Sequence, residues 1–291
     1  MDEGQIGIAK SWGGMHICCE LETVQRLREW YGRRLKPFAI MVRDMETARR
    51  YARPSALEEG LLTSSHRPVT LIPKTEDELT RAISPGLSNI GVFLPYTGMQ
   101  EILFHHLKAD ALVMTSANVP GEPMILDDRS ALSMGAECYL LHNRKIVNRC
   151  DDSVARSFDG DAYFIRRSRG HIPIFLEVPA QGNTLGIGAQ ENLTATLAFR
   201  GRMYPTQYVG DGSSPGVLDF LESAVRYQIR LLGVDSLDRV AMDLHPGYSN
   251  RRLARSLSEE LGAGLIEVQH HWAHAASLMA DAGIEEMIGA G

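Results

Sequence analysis

Residues 111–118 read Ala111-Leu112-Val113-Met114-Thr115-Ser116-Ala117-Asn118, and the fold class turns on this stretch. The four apolar residues 111–114 make a short buried strand, which breaks at once into three hydrogen-bonding side chains, Thr115, Ser116 and Asn118. In an α/β sheet, ligands bind at the carboxyl ends of strands. Two hydroxyls and an amide at such an end suit a phosphate or a small carbonyl group. The same residue types also form Asx and Ser/Thr turns that satisfy only their own backbone. The company this stretch keeps weighs between the two readings.

Working outward, residues 5–9 form a strand and residues 10–14 a loop. Leu21, Val24, Leu27 and Tyr31 fall at helical spacing, with Glu20, Glu22, Arg26 and Arg28 expected to face water. Residues 38–42 are a buried strand, and Asp44 caps a helix running to Tyr51. Strands follow at 69–72 and 90–94, then a helix over 97–107 ahead of the central strand. Strands at 153–158 and 162–167 flank Asp159-Gly160, a strong hairpin signal. The expected fold class is α/β: a mixed α/β sheet domain over residues 1–175.

Pro173, Pro179 and Gly182 mark a break. Beyond it, residues 184–187, 194–199 and 204–209 read as three consecutive strands. A helix over 215–232, a strand over 239–243, a helix over 250–261, a strand over 264–268 and a helix from His270 complete the order. This β-β-β-α-β-α-β sequence is how an actin/Hsp70-type ATPase half begins, which gives a second domain over 184–291. The likeness is one of fold and carries no chemistry by itself.

The 291 residues suffice for two domains, at about 100–200 residues each. A net charge of −6 argues against a broad nucleic-acid-coating surface, while leaving room for a local basic groove. Cys18, Cys19, Cys138 and Cys150 form neither a C-x-x-C pair nor a disulfide framework, which points to a reducing compartment. No stretch approaches the roughly 20 apolar residues of a membrane span. The first 15 residues lack a secretory signal's basic start and apolar core. A cytoplasmic protein with no membrane partner is expected.

Five features carry chemistry. Arg26, Arg28, Arg33, Arg34 and Lys36 precede the 38–42 strand; arginine suits bidentate phosphate contacts, although Arg26 and Arg28 also fit a solvated helix face. Thr115, Ser116 and Asn118 are the second. His142-Asn143-Arg144 with Arg149, Asp151, Asp152 and Ser153 is the third, fit for phosphate and metal or for a surface salt-bridge cluster. Gly186-Ile187-Gly188-Ala189 is the fourth: its glycines permit backbone approach to phosphate, or simply a hairpin turn. The fifth is His270-His271-Trp272-Ala273-His274. His270 and His274, at i and i+4, share a helix face and can ligate one metal, with no third ligand evident. Imidazole suits zinc, iron or nickel, so the spacing does not choose among them. Asp243-Leu244-His245-Pro246 ends another strand.

Residues 36–42, the Thr115-Ser116-Ala117-Asn118 run, Arg149 with Asp151-Asp152-Ser153-Val154, and Arg166-Arg167-Ser168-Arg169-Gly170 resemble the YrdC-like domain. Asp243-Leu244-His245-Pro246 and residues 268–274 resemble the TsaD-type ASKHA domain. The two in this order are similar to HypF-type carbamoyltransferases of hydrogenase maturation. The resemblance implies a double-stranded-RNA-binding type of fold for the first domain and the N-terminal half of an ASKHA domain for the second. It implies that the first domain joins carbamoyl phosphate and ATP, with Mg2+, into carbamoyl adenylate and pyrophosphate. The second would pass the carbamoyl group to the C-terminal cysteine of the partner HypE, on the way to the cyanide ligand of the [NiFe] hydrogenase iron.

On the same resemblance, Arg33, Ser116 and Asn118 fall on nucleotide and carbamoyl-phosphate positions with catalytic roles. Lys36 and Arg149 lie near those positions, and His270 and His274 fall on those of a divalent metal such as zinc or iron; with Thr115, Asp152, Ser153 and Gly188 from the features above, Lys36 and Arg149 make up the expected nucleotide- and substrate-binding set. Tyr31 stands where the family's Lys-x-Arg pattern has lysine, and Gln190-Glu191-Asn192-Leu193 replaces an acidic residue followed by Leu-Lys-Asn. The family's upstream acylphosphatase-like and zinc-finger regions and the later half of the ASKHA domain have no counterpart here, so a complementary chain would complete that domain. Two other functions remain open. One is threonylcarbamoyl-AMP synthesis for tRNA modification, and the other is a binding module or split-gene fragment without activity of its own.

Overall fold

The computed structural model describes residues 3–119, 121–178, 181–284 and 286. It divides into two compact units: Met1–Asn118 with Met124–His171, and Val119–Pro123 with Ile172–Gly291.

The first unit holds strands β1 (Gly7–Lys10), β2 (Met15–Glu20), β3 (Ala39–Val42), β4 (Val69–Pro73), β5 (Asn89–Phe93), β6 (Ala111–Ser116), β7 (Cys138–Leu140), β8 (Val154–Phe158) and β9 (Asp161–Arg166). Its helices are α1 (Val24–Tyr31), α2 (Met45–Tyr51), α3 (Ala56–Thr63), α4 (Glu78–Ile83), α5 (Gly98–His106) and α6 (Asp128–Ser133). The strands make one sheet in the order β7-β1-β2-β6-β3-β5-β4-β8-β9. Pairing is parallel between β1 and β7, β3 and β5, and β4 and β8, and antiparallel elsewhere, so the sheet is mixed, as expected.

Apolar side chains cover both faces of its centre. Val113 of β6 joins Ile17, Leu27, Ile40, Ile90 and Val92 on one side, while Leu112 and Met114 join Cys18, Met41, Phe93 and Phe104 on the other. Burial on both faces erases the period-two signal, which is why β2, buried from Met15 to Cys19, escapes a pattern reading. Helices α3 and α4 escape it as well, being short; reciprocal capping boxes, Ser55 with Glu58 and Asp77 with Thr80, start them. The hairpin between β8 and β9 turns on Asp159 and Gly160, both at positive φ.

Two expectations need correction. Thr115 and Ser116 continue β6 rather than forming a turn, because β2 pairs with them through Ile17 and His16. Arg28 does not face water. It is 6% exposed, and its guanidinium lies 4.7 Å over the Phe38 ring. From there it donates to the carbonyls of Ala82 and Ile83 at 2.9 Å each, Arg33 at 3.0 Å and Lys36 at 2.8 Å. A buried charge needs such a set of acceptors, and here the carbonyls come from the loop that follows α1 and from the end of α4.

The second unit has β10 (Leu176–Glu177), β11 (Thr184–Gly186), β12 (Thr196–Phe199), β13 (Arg202–Pro205), β14 (Arg239–Asp243) and β15 (Gly264–Val268) in the order β10-β13-β12-β11-β14-β15. Helices α7 (Pro215–Leu232), α8 (Arg251–Leu261) and α9 (His270–Ala282) complete it. The three-strand meander and the parallel trio β11, β14, β15 follow the order read from the sequence. Its core gathers Leu185, Leu197, Val240 and Met242 of the sheet against Val217, Leu221 and Val225 of α7 and Leu257 of α8.

Candidate functional site

In the first unit the carboxyl end of β6 is a junction. Helix α1 ends at Tyr31, and Gly32, at φ 67°, reverses the chain so that Arg33 folds back. The Arg33 guanidinium lies 4.4 Å from the Tyr31 ring centre and donates to Thr115 Oγ1 and Tyr31 Oη, each at 3.3 Å. Tyr31 Oη in turn lies 2.7 Å from the Asn118 carbonyl, 2.9 Å from Asn118 Oδ1 and 3.2 Å from the Ser116 carbonyl. Ser116 Oγ donates to Asp151 Oδ1 at 2.8 Å, and Arg166 donates to the other Asp151 oxygen at 2.7 Å. Arg33, Thr115, Ser116 and Asn118 therefore share one end of one strand, linked by Tyr31.

The electrostatics agree with an anion site. Lys36 is exposed, yet desolvation of its ammonium, and then the charges of Arg33 and Arg166, push its pKa below the ordinary amine range, against the pull of Asp151. Three cations thus face one carboxylate, in a chain whose net charge is −6. An arriving phosphate would relieve that repulsion.

Other expected residues stand apart. The Asp152 carboxylate is occupied by Arg169 Nε at 2.7 Å and His16 Nε2 at 3.2 Å. Burial would raise its pKa, but Arg169 and His16 outweigh this and hold it well below the usual carboxylate range. Ser153 Oγ accepts from Ser168 N at 2.8 Å and donates to the Arg169 carbonyl at 2.9 Å. Arg169 also donates to the carbonyls of His66 and Arg67, and its guanidinium lies 3.4 Å from the Tyr96 ring centre. Asp152 and Ser153 fasten the Ser168–Arg169 strap, leaving their neighbour Asp151 for Ser116. Arg149 donates to the Met124 carbonyl at 2.7 Å. His142 enters through its carbonyl, which accepts from the buried Lys10 at 2.9 Å.

In the second unit the parallel strands β11, β14 and β15 end side by side. The loop after β11 carries Gly188 at φ 79°, where an added Cβ would lie 2.6 Å from the Thr194 carbonyl. Asn250 Nδ2 donates to the Gly188 carbonyl at 2.9 Å, and Ser249 N donates to Gln190 Oε1 at 2.9 Å, tying this loop to the segment after β14. Asp243, the last residue of β14, accepts from His245 N at 2.7 Å and lies 2.6 Å from His270 Nδ1. Burial pushes the Asp243 pKa up, but these bonds prevail and hold it below its ordinary value.

His274 Nε2 lies 3.1 Å from His270 Nε2. Two imidazoles on a tetrahedral metal at about 2.0–2.1 Å would place their nitrogens about 3.3 Å apart. The pair fits a shared metal, and a carboxylate on the outer nitrogen of one ring is the usual orienting partner. Among the described residues, no group of three His, Cys, Asp or Glu side chains is set to hold a metal. A cavity of about 510 Å3 lined by Gln181, Gly182, Leu237, Asp238, Arg239 and Gly262 sits at the opposite, amino-terminal ends of β11 and β14, away from these histidines.

Some of these partners were invisible to spacing arguments. Asp151 meets Ser116, and Arg166 meets Asp151, only because β8 and β9 fold beside β4, across the sheet. Asp243 reaches His270 because β14 and β15 are parallel neighbours, a pairing that the strand–helix–strand order could have suggested.

Residues 1–168 match the family described as "Telomere recombination", Sua5/YciO/YrdC. The chain belongs to the Sua5/YciO/YrdC family. Behind that Sua5/YciO/YrdC region, residues 179–281 match the HypF Kae1-like domain. Over 292 residues the chain is 38% identical to the probable carbamoyltransferase HypF of Methanocaldococcus jannaschii, a match covering 97% of this chain and 38% of that protein. The crystal structure of T. kodakarensis HypF superposes with a TM-score of 0.92 at 43% identity, over 98% of this chain and 38% of that one. Full-length HypF in its phosphate- and nucleotide-bound form gives 0.89 at 35% identity, over 98% and 45%. The chain thus spans about 38% of the length of the curated relatives it matches.

Proposed function

We propose that this chain contributes to an ATP-dependent carbamoyltransferase. Its first unit joins carbamate, formed together with inorganic phosphate when water cleaves carbamoyl phosphate, through its oxygen to the α-phosphorus of ATP, and pyrophosphate leaves. The observation that carries this reading is the meeting of Arg33, Thr115, Ser116 and Asn118 at the end of β6, beside Lys36 and Arg166. Forming a mixed anhydride puts charge on phosphoryl oxygens, and fixed guanidinium groups stabilise it best where they need not reorganise. Arg33 offers N–H groups without partners among the described residues, and Mg2+ would arrive with the ATP. The solved HypF that carries phosphate and nucleotide supports the nucleotide part.

In the second unit, His270 and His274 would hold a divalent metal, zinc or iron, which when bound supplies a Lewis acid for a carbonyl or phosphoryl oxygen. Asp243 keeps the His270 ring oriented. The carbamoyl acceptor is the C-terminal cysteine of HypE. The first experiment is mass detection of carbamoyl-AMP after incubating the folded chain with carbamoyl phosphate, ATP and Mg2+. Product that disappears in Ser116→Ala supports the reading; a folded chain that makes none refutes independent adenylate formation.

One observation favours a second reading, in which the chain works only with another polypeptide. Residues 264–267 of β15 are exposed and α9 buries no residue, with Leu265, Ile266, Trp272 and Leu278 open to solvent. Apolar surface of this kind fits a further piece of the Kae1-like domain laid over it. Recovery of activity on adding that piece in trans would select this reading.

A further inference from the structure

Tyr31 is the residue on which the β6 junction converges, and four facts define its place. It ends α1, it is 7% exposed, the Arg33 guanidinium covers its ring, and its hydroxyl is within hydrogen-bond reach of both Asn118 and the Ser116 carbonyl. A phenol has one proton, and here three acceptors compete for it: the Asn118 carbonyl, Asn118 Oδ1 and the Ser116 carbonyl. Its oxygen remains free to accept, and Arg33 Nη2 donates there. The positive φ of Gly32 is what lets residues 31 and 33 stack, since residues two apart on a helix face different ways. Burial raises the phenol pKa above its ordinary value, with Arg33 and the Asn118 bond pulling partly back, so the hydroxyl stays protonated at neutral pH.

We propose that Tyr31 is the positioning residue of the anion site, its hydroxyl setting the place where Arg33 and Asn118 meet a phosphoryl oxygen. The inference rests on the nucleotide reading above and assigns Tyr31 no contact with the reacting atoms. Without the hydroxyl, Arg33 keeps the ring beneath it and Thr115 beside it, but loses the bond that fixes its rotation. Asn118 loses the Tyr31 hydroxyl as a hydrogen-bond neighbour. The guanidinium and the amide then spend part of their time out of register with the ligand, and affinity falls without any loss of charge.

The test uses Tyr31→Phe in the full chain, which retains the ring, with ATP–Mg2+ and inorganic pyrophosphate as separate probes in titration calorimetry. The substitution should weaken both probes about tenfold, equivalent to about 1.4 kcal/mol. The far-UV spectrum and the thermal midpoint should stay close to wild type. Combined with Arg33→Ala, Tyr31→Phe should cost only the part that it exerts through Asn118, well short of its full single-variant loss. Unchanged affinity in Tyr31→Phe, or a full additional loss in the Arg33→Ala background, would overturn the inference alone. A wild-type chain that binds neither probe would overturn the nucleotide reading and this inference with it.

Discussion

Replacing Asp152 by asparagine isolates one charge in the interior of the first unit. In the native chain its carboxylate accepts from Arg169 at 2.7 Å and His16 at 3.2 Å, and the side chains of both Asp152 and Arg169 are only 11% exposed. Asparagine keeps the shape and one acceptor oxygen but leaves the Arg169 guanidinium without its counter-ion. Removing one partner of a buried pair costs about 3–5 kcal/mol, because the survivor stays desolvated and uncompensated. For a unit of this size each kcal/mol moves the midpoint by about 2–4 °C, so the transition should fall by about 6–20 °C. The sign with pH follows from the depressed native pKa of Asp152. The pair's contribution is fully present above the unfolded carboxylate value, about 3.9, and is lost as pH falls toward the native one. The wild-type advantage should therefore be flat from about pH 5 to 8 and shrink on further acidification. Scanning calorimetry of both proteins across that range is the assay. A midpoint for Asp152→Asn within 2 °C of wild type at neutral pH would refute the assignment of this network as structural.

Arg28→Lys should loosen the loop that carries Arg33 and Lys36, since a single ammonium cannot serve carbonyls on both sides at once. Weaker ATP binding and faster amide exchange over residues 33–37 would mark it, and unchanged exchange would count against the latch. Gly188→Ala places a Cβ against the Thr194 carbonyl at a positive φ, a strain of about 1–3 kcal/mol. Urea titration should show that loss in the second unit's transition. The lowered pKa of Lys36 gives the last expectation. A bound anion raises it again, so ATP binding takes up protons and its affinity declines as pH rises through the free-state value. Calorimetry in buffers of different ionisation enthalpy reads that uptake, which Lys36→Arg should abolish.

Much of this was legible in the residues themselves. Helix α7 and strands β14 and β15 sit where periodicity puts them, because each is long or regular enough for its pattern to dominate. Asp159-Gly160 announces its hairpin, and His270 and His274 meet as helical spacing requires. What stayed hidden was non-local. An arginine at an outward-looking helical position reads as solvated, and only the loop after α1 and the end of α4 supply the carbonyls that draw Arg28 in. Adjacent aspartates look equivalent in sequence, yet Asp151 serves Ser116 while Asp152 serves Arg169, a division made by alternation at the entry to β8. Tyr31 reads as a mismatch in a motif, and only the fold brings its hydroxyl to Asn118, Ser116 and Arg33.

Among the described residues, β15 is hydrogen-bonded on one flank only, and the side chains of Leu265 and Ile266 are in contact with water. Natural edge strands usually carry lysine, proline or a bulge as a guard against pairing with a stranger, and Gly264–Val268 has none of the three. Purified by itself and concentrated, this polypeptide should dimerise or precipitate along that flank. Its solubility would then read out how far that flank is covered.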